Sequence, residues 1–314
     1  MDLTLLAIKF MTIDIVNYKK SIYSRCTKIK DNHNLMKNFK NKVAAITGAG
    51  SGIGQQLALL LAKAGCHVSL SDVNEQGLAK TVELLQGSNV RVTMKKLDVS
   101  DRLAMQAWAE ETVQNHGSVN MIFNNAGVAL GSTVEGASYE ELDCDDAVHF
   151  CGVVYGNKDF FRYINETGAG HIINISSLFG LTAQPTQSAY NATKFAVRGF
   201  TESLRQELDM ENSGVSALCV HPGGIRTNIA NAAKVNDSLR SIGMKPEKSA
   251  QTFNKLLRCP PEEAARQILE AVQKDKRRLL IGNDAKTLDL IQRILPTGYQ
   301  KVTAFATKLS QRKS

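Results

Sequence analysis

Ser177, Tyr190 and Lys194, spaced Ser-x12-Tyr-x3-Lys, form a set able to exchange a proton with an alcohol or carbonyl oxygen. A phenol is a poor base near neutral pH, so Tyr190 needs a neighbouring cation and a partner that takes or gives the hydride. Periodicity predicts a helix over Ser188 to Glu211, in which Tyr190 and Lys194 share a face that Val197, Phe200, Leu204 and Leu208 extend as an apolar stripe. An ammonium within about 4 to 6 Å favours the phenolate, and a positively charged oxidised nicotinamide would act in the same sense. The run His171-Ile172-Ile173-Asn174-Ile175 reads as a buried parallel strand. Ser177 then falls at a carboxyl end, where such sheets carry their sites, with the expected task of holding the substrate oxygen. Tyr-x3-Lys alone is equally an exposed helical pair; a glycine-rich turn upstream gives it meaning.

That turn, Thr47-Gly48-Ala49-Gly50-Ser51-Gly52-Ile53-Gly54, joins the strand-like Lys42 to Thr47 to a helix expected over Ile53 to Ala64. Glycines there let backbone approach a pyrophosphate and aim helix N-terminal N–H groups at it. The spacing departs from Gly-x-Gly-x-x-Gly, since Ile53 stands where the last glycine belongs. The next strand, Cys66 to Ser71, ends at Asp72, close to the offset at which a carboxylate meets an adenosine ribose. A carboxylate accepts from a ribose 2′-hydroxyl and repels a 2′-phosphate, so NAD is expected over NADP; Val73, not a cation, follows.

With Leu97-Asp98-Val99, Asn124-Asn125-Ala126-Gly127 and Pro222-Gly223 in order between and after these motifs, the chain from about Met36 to Gly282 resembles the short-chain dehydrogenase/reductase family. The resemblance implies a Rossmann-type oxidoreductase. It places Asp98 and Val99 beside the adenine and Asn125, Ala126 and Gly127 along the cofactor. Ile225 and Thr227 would lie at the nicotinamide end, with Gly48, Ser51, Gly52, Ile53, Gly54, Asp72, Tyr190, Lys194, Pro222 and Gly223 completing the cofactor site. Read without it, Asn124 to Gly127 is a turn after a strand over Val119 to Phe123.

The family pattern also contains an Asn-x-x-Gly whose asparagine completes a catalytic tetrad, largely through a backbone carbonyl that holds a water. Here the segment is Ala147-Val148-His149-Phe150-Cys151-Gly152, so His149 takes that place. A histidine keeps the carbonyl and can relay protons; it is also bulky enough to displace the water, or to serve only in packing.

At 314 residues and 43% apolar composition, the chain can build one large α/β domain. Strand-like runs near Val43, Val68, Val90, Met121, Ile173, Val215 and Leu279 alternate with helical ones, giving a doubly wound parallel sheet of about seven strands. Six cysteines without Cys-x-x-Cys spacing read as reduced thiols of a cytoplasmic protein, Cys144 and Cys151 fall on one expected helix, and no metal constellation is seen. The net charge of +8 resides at the ends: residues 36–254 carry 19 Lys and Arg against 21 Asp and Glu, whereas 255–314 carry 13 against 6. A nucleic-acid groove through the body is therefore not expected; the basic tail is available to an anionic membrane surface, or is simply solvated.

Residues 1–35 read as an extension before the domain, disordered or from a misassigned start, and 36–284 as the domain. Within it, 226–258 would form a substrate lid whose Ile229, Leu239, Ile242, Met244, Phe253, Leu256 and Leu257 favour an apolar alcohol, ketone or aldehyde, or else pack on the body. Residues 285–314 form an amphipathic tail with Leu288, Ile291, Leu295, Tyr299, Val302, Phe305 and Leu309 at helical spacing. The resemblance further implies a homodimer or homotetramer. Two alternatives stand beside NAD-linked dehydrogenation: an NAD(H)-binding regulator without turnover, and an NADPH-dependent reductase of long-chain acyl or aldehyde substrates near a membrane.

Overall fold

A computed structural model describes residues 36–312, so the N-terminal extension lies outside the described residues. In chain order the elements are β1 (Val43–Thr47), α1 (Gly52–Lys63), β2 (His67–Asp72), α2 (Glu75–Leu84), β3 (Val92–Lys96), α3 (Arg102–His116) and β4 (Met121–Asn124). There follow the two-residue β5 (Leu130–Gly131), α4 (Tyr139–Asp146), a π-helical turn (Ala147–Cys151), α5 (Gly152–Glu166), β6 (Gly170–Ile175), a 3-10 turn (Leu178–Gly180) and α6 (Ser188–Glu211). The last third holds β7 (Val215–Pro222), the short β8 (Lys234–Val235), α7 (Pro246–Asn254), α8 (Pro261–Gln273), β9 (Arg278–Ile281), α9 (Asn283–Ile294) and α10 (Tyr299–Arg312).

Seven strands make one sheet in the order β3-β2-β1-β4-β6-β7-β9, and every pairing is parallel. All seven carboxyl ends therefore lie along one edge. Parallel strands are covered on both faces, which is why β1 and β7 are buried at every position and are mostly apolar, Ser216 and His221 of β7 being buried polar exceptions. One face packs against α1 and α8 through Leu57, Leu61, Ile268 and Val272. The other packs against α3, α5 and α6 through Trp108, Phe160, Ile164 and Leu208, with the Trp108 and Phe160 rings edge to face at 5.0 Å. The strand order reverses between β1 and β4, the switch point at whose carboxyl edge such sheets form their ligand crevice.

Three expectations need adjusting. The third strand, expected near Val90, runs from Val92, and just before it the N–H of Arg91 donates to His67 Nδ1 at 2.8 Å. Cys144 and Cys151 do not share one regular helix; the π-helical turn intervenes and changes the phase between them. The tail is two helices divided at Pro296; it buries Ala285, Asp289 and Tyr299, the last with its hydroxyl accepting the N–H of Ala183 at 3.1 Å, while Leu295, Val302 and Phe305 are exposed.

Candidate active site

The cofactor end of the crevice is built by backbone. Gly48 (φ +64°) and Gly52 (φ +55°) adopt conformations that L side chains avoid, and a Cβ on Gly54 would stand 2.2 Å from the Gly48 carbonyl oxygen. Ser51 starts α1 but makes no side-chain cap, which leaves the first N–H groups of the helix pointing into the crevice, and Ile53 packs against the core beside it. Asp72 is half-buried at the end of β2; its Oδ2 accepts the Gly50 N–H at 2.8 Å and its Oδ1 the Asn74 N–H at 2.9 Å. The carboxylate therefore braces the glycine turn, a second task beyond the one expected of it.

From β4, Asn125 donates through Nδ2 to the carbonyls of Thr47 (3.0 Å) and Gly48 (3.2 Å), and the N–H groups of Asn125 and Ala126 donate to Thr47 Oγ1. These bonds tie the two strand ends across the switch point. Gly127 is needed for space: a Cβ there would lie 3.1 Å from His149 Nε2. After β3, Asp98 is exposed and accepts from Ser100, while Val99 is buried against Gly152. Beyond Pro222, the N–H of Gly223 donates to Ile281, Ile225 is buried and bridges to Cys259, and the Thr227 methyl sits 2.9 Å from where a Gly52 Cβ would be. Segment 222–227 thus closes over the glycine turn.

Ser177, Tyr190 and Lys194 converge at the other end. Ser177 follows β6 and caps the 3-10 turn by accepting the Phe179 N–H at 3.1 Å; its carbonyl accepts Nδ1–H of His221 at 2.8 Å. Burial holds His221 at a pKa of about 4, so this imidazole is neutral and locks the Ser177 backbone. Lys194 is buried, donates through Nζ to the Ile175 carbonyl at 3.0 Å, and lies 5.5 Å from the Tyr190 ring centroid. Phe179 and His149 meet the Tyr190 ring edge-on, at 6.1 and 4.9 Å between centroids.

The electrostatics differ from the sequence expectation. Burial pushes the Tyr190 phenol up to about 12, against a hydrogen bond with Ser177 that lowers it. Burial also brings Lys194 down to about 8, opposed by the charge of Asp145. Desolvation by burial is the dominant influence on both groups. As it stands, Tyr190 is a proton donor.

His149 occupies the π-helical turn fully buried; its Nε2 accepts the Val128 N–H at 3.0 Å and its Nδ1 lies 3.2 Å from Asp145 Oδ2. Burial, then repulsion from Lys194, lowers its pKa and keeps it neutral. Asp145, Thr193 and His221 are site residues that the sequence reading overlooked. The spacing Asp145-x3-His149, one turn of helix, was a signal for the first; nothing in the sequence announces the others.

A family model described as "short chain dehydrogenase" matches residues 42–237. The chain belongs to the short-chain dehydrogenases. As a member of that family it is an oxidoreductase acting on CH–OH groups. It is similar to SadH of Mycobacterium tuberculosis, a protein named as an oxidoreductase, with 45% identity over 270 residues that cover 86% of this chain and 96% of SadH. Among solved structures, a short-chain dehydrogenase/reductase from Burkholderia phymatum in complex with NAD superposes with a TM-score of 0.76 at 28% identity, covering 82% of this chain and 95% of that one. Levodione reductase superposes with a TM-score of 0.69 at 26% identity, covering 80% and 99%. This short-chain dehydrogenase departs from the family pattern where His149 replaces the expected asparagine, and it fills that place with a side chain paired to Asp145.

Proposed function

We propose that this short-chain dehydrogenase transfers a hydride between NAD(H) and an apolar alcohol or carbonyl compound, using Ser177, Tyr190 and Lys194. The observation that carries the reading is the meeting of the Lys194 ammonium and the Tyr190 ring, 5.5 Å apart, beside Ser177 on the strand edge that also bears the glycine turn.

The crevice fits a dinucleotide. Glycines at 48, 52 and 54 leave a cradle that a Cβ would fill or strain, α1 offers unbonded N–H groups for a pyrophosphate, and Asp72 retains lone pairs for a ribose hydroxyl. Asp98 and Val99, Asn125 to Gly127, and Pro222, Gly223, Ile225 and Thr227 would line its remaining length. Bound there, a nicotinamide dinucleotide supplies the hydride donor or acceptor. Asp72 favours NAD over NADP.

The chain's own residues then handle the oxygen and the proton. Ser177 Oγ, held at the strand end by its cap and by His221, accepts or donates one hydrogen bond to the substrate oxygen. The Tyr190 phenol delivers a proton to that oxygen as carbonyl becomes alcohol and takes it back in the reverse direction. Lys194, charged below pH of about 8, offsets the negative charge on the phenolate oxygen. His149 packs against Tyr190 and holds the 126–128 segment. Tyr190→Phe keeps the ring packing and removes the proton. Turnover with NAD(H) across a panel of secondary alcohols and ketones should fall by about 10²- to 10⁴-fold, with NADH binding unchanged; retained turnover overturns this mechanism.

The substrate would be apolar. In segment 226–258, Leu239 and Leu257 are buried as packing, but Ile242, Phe253 and Leu256 remain exposed around it and are available to an apolar ligand. Contact with an anionic membrane surface is supported by the tail: Leu290, Ile294, Leu295, Val302 and Phe305 are exposed, and every charge after Asp289 is basic. No helix among the described residues is long and apolar enough to cross a membrane. Free thiols at 66, 144, 151, 219 and 259 support a reducing, cytoplasmic setting, and the family supports a homodimer or homotetramer.

A further inference from the structure

Asp145 lies in the last turn of α4 with 1% of its surface exposed. Its Oδ2 accepts from Thr193 Oγ1 of α6 at 3.1 Å and stands 3.2 Å from His149 Nδ1, whereas Oδ1 is buried without a hydrogen-bond partner. On the far side of the imidazole, Nε2 accepts the Val128 N–H at 3.0 Å. A nitrogen that accepts carries no proton, so the ring proton of neutral His149 sits on Nδ1 and faces the carboxylate. The imidazole is thus held by a hydrogen bond at Nε2, while Nδ1 lies 3.2 Å from the carboxylate without an aligned hydrogen bond, and its ring is edge-on to Tyr190 at 4.9 Å.

A buried carboxylate is costly unless it is paired and hydrogen-bonded. Thr193 donates to one oxygen, His149 Nδ1 lies 3.2 Å from the same oxygen, and the buried Lys194, whose charge interacts with that of Asp145, follows Thr193 directly in α6. We propose that Asp145 is a positioning residue of the active site, holding His149 in the Nδ1–H form against Val128 and supplying the buried negative charge that faces Tyr190 and Lys194. The titration behaviour agrees. Burial is the main cause that lowers Lys194 and raises Tyr190, and Asp145 acts on both in the upward sense. The other titratable groups here are Cys219 of β7, whose thiol burial raises to about 12 and so keeps neutral, and His149 itself, which Lys194 repels. Asp146 lies nearby in sequence, with Cys151 Sγ 3.6 Å from its Oδ2. The inference rests on the proton-transfer roles given above to Tyr190 and Lys194.

Two spectra on the intact protein test it, and neither requires a substrate. In ¹⁵N imidazole spectra from pH 6 to 9, the His149 signal, identified by its loss in His149→Asn, should show a protonated Nδ1 and an unprotonated Nε2 without titrating. An Nε2–H tautomer or an imidazolium overturns the proposal. With ¹³C-labelled lysine, the Lys194 signal, identified by its loss in Lys194→Arg, should titrate about one unit or more lower in Asp145→Asn than in the parent. An unmoved Lys194 in a folded variant overturns it. Should Asp145→Asn fail to fold, the parent imidazole spectrum decides. Confirmed spectra alongside absent turnover would sink the hydride-transfer reading while leaving this one in place.

Discussion

Replacing Asp72 with asparagine removes one negative charge from the far end of the crevice and leaves the shape nearly unchanged. In the parent the carboxylate accepts from Gly50 N–H (2.8 Å) and Asn74 N–H (2.9 Å), and in the proposed function it would face the adenosine ribose. Two unit charges about 4 Å apart interact by about 1 kcal/mol in bulk water and about 4 kcal/mol at the effective dielectric near a protein surface. Asp72 is half-buried, so its repulsion of a 2′-phosphate falls within that bracket, roughly fivefold to a thousandfold in affinity. The amide that Asp72→Asn introduces would keep one acceptor but turn its N–H towards a second backbone donor. NADH binding should therefore weaken by about fivefold as a charge-assisted bond becomes a neutral one, while NADPH binding strengthens. Titration of parent and variant with NADH and NADPH, followed by nicotinamide fluorescence, gives the ratio directly. A melting curve on each separates this from loosening of the glycine turn. Tighter NADPH binding by the parent, or a ratio that moves less than about twofold in D72N, refutes the electrostatic argument.

Acid should destabilise the fold in a defined window. His221 and His116 have folded pKa values held down to about 4 by burial, against 6.5 unfolded, so the unfolded chain binds protons first as the pH falls. Their stabilisation is complete above pH 6.5 and is lost on going down to about 4, about 3 kcal/mol for His221 alone; a melting temperature that stays flat between pH of about 7 and about 4.5 would contradict this. Asp275, whose carboxyl sits well below the usual range because His171, Arg205 and Ser216 outweigh its burial, gives way only at lower pH. For the tail, Val302→Ser with Phe305→Ser should reduce co-sedimentation with phosphatidylserine vesicles by about tenfold or more, from the apolar area withdrawn. Unchanged sedimentation removes the membrane contact.

Local patterning governs what could be read from the chain alone. Strands covered on both faces are mostly apolar, so β1, β6 and β7 stand out even with His171, Asn174, Ser216 and His221 buried among them; a face that repeats every 3.6 residues marks α6, found over the expected Ser188–Glu211. Glycine at 48, 52 and 54 was legible because no other residue tolerates those conformations and approaches, and the order of short motifs carried the family. Tertiary structure alone decided how the site is charged. Tyr190 is pushed up, not down, because desolvation depends on everything packed around it, and Lys194 donates one of its three N–H groups to Ile175 because β6 ends there. Asp145 and His149 become one unit only when the π-helical turn and α6 close over them, and His221 reaches Ser177 only through the pairing of β6 with β7. The same holds at the surface. Leu239 and Leu257 share their hydrophobicity with Ile242, Phe253 and Leu256, yet the first pair is buried and the others are exposed, since burial is a property of neighbours distant in the chain rather than of the residue.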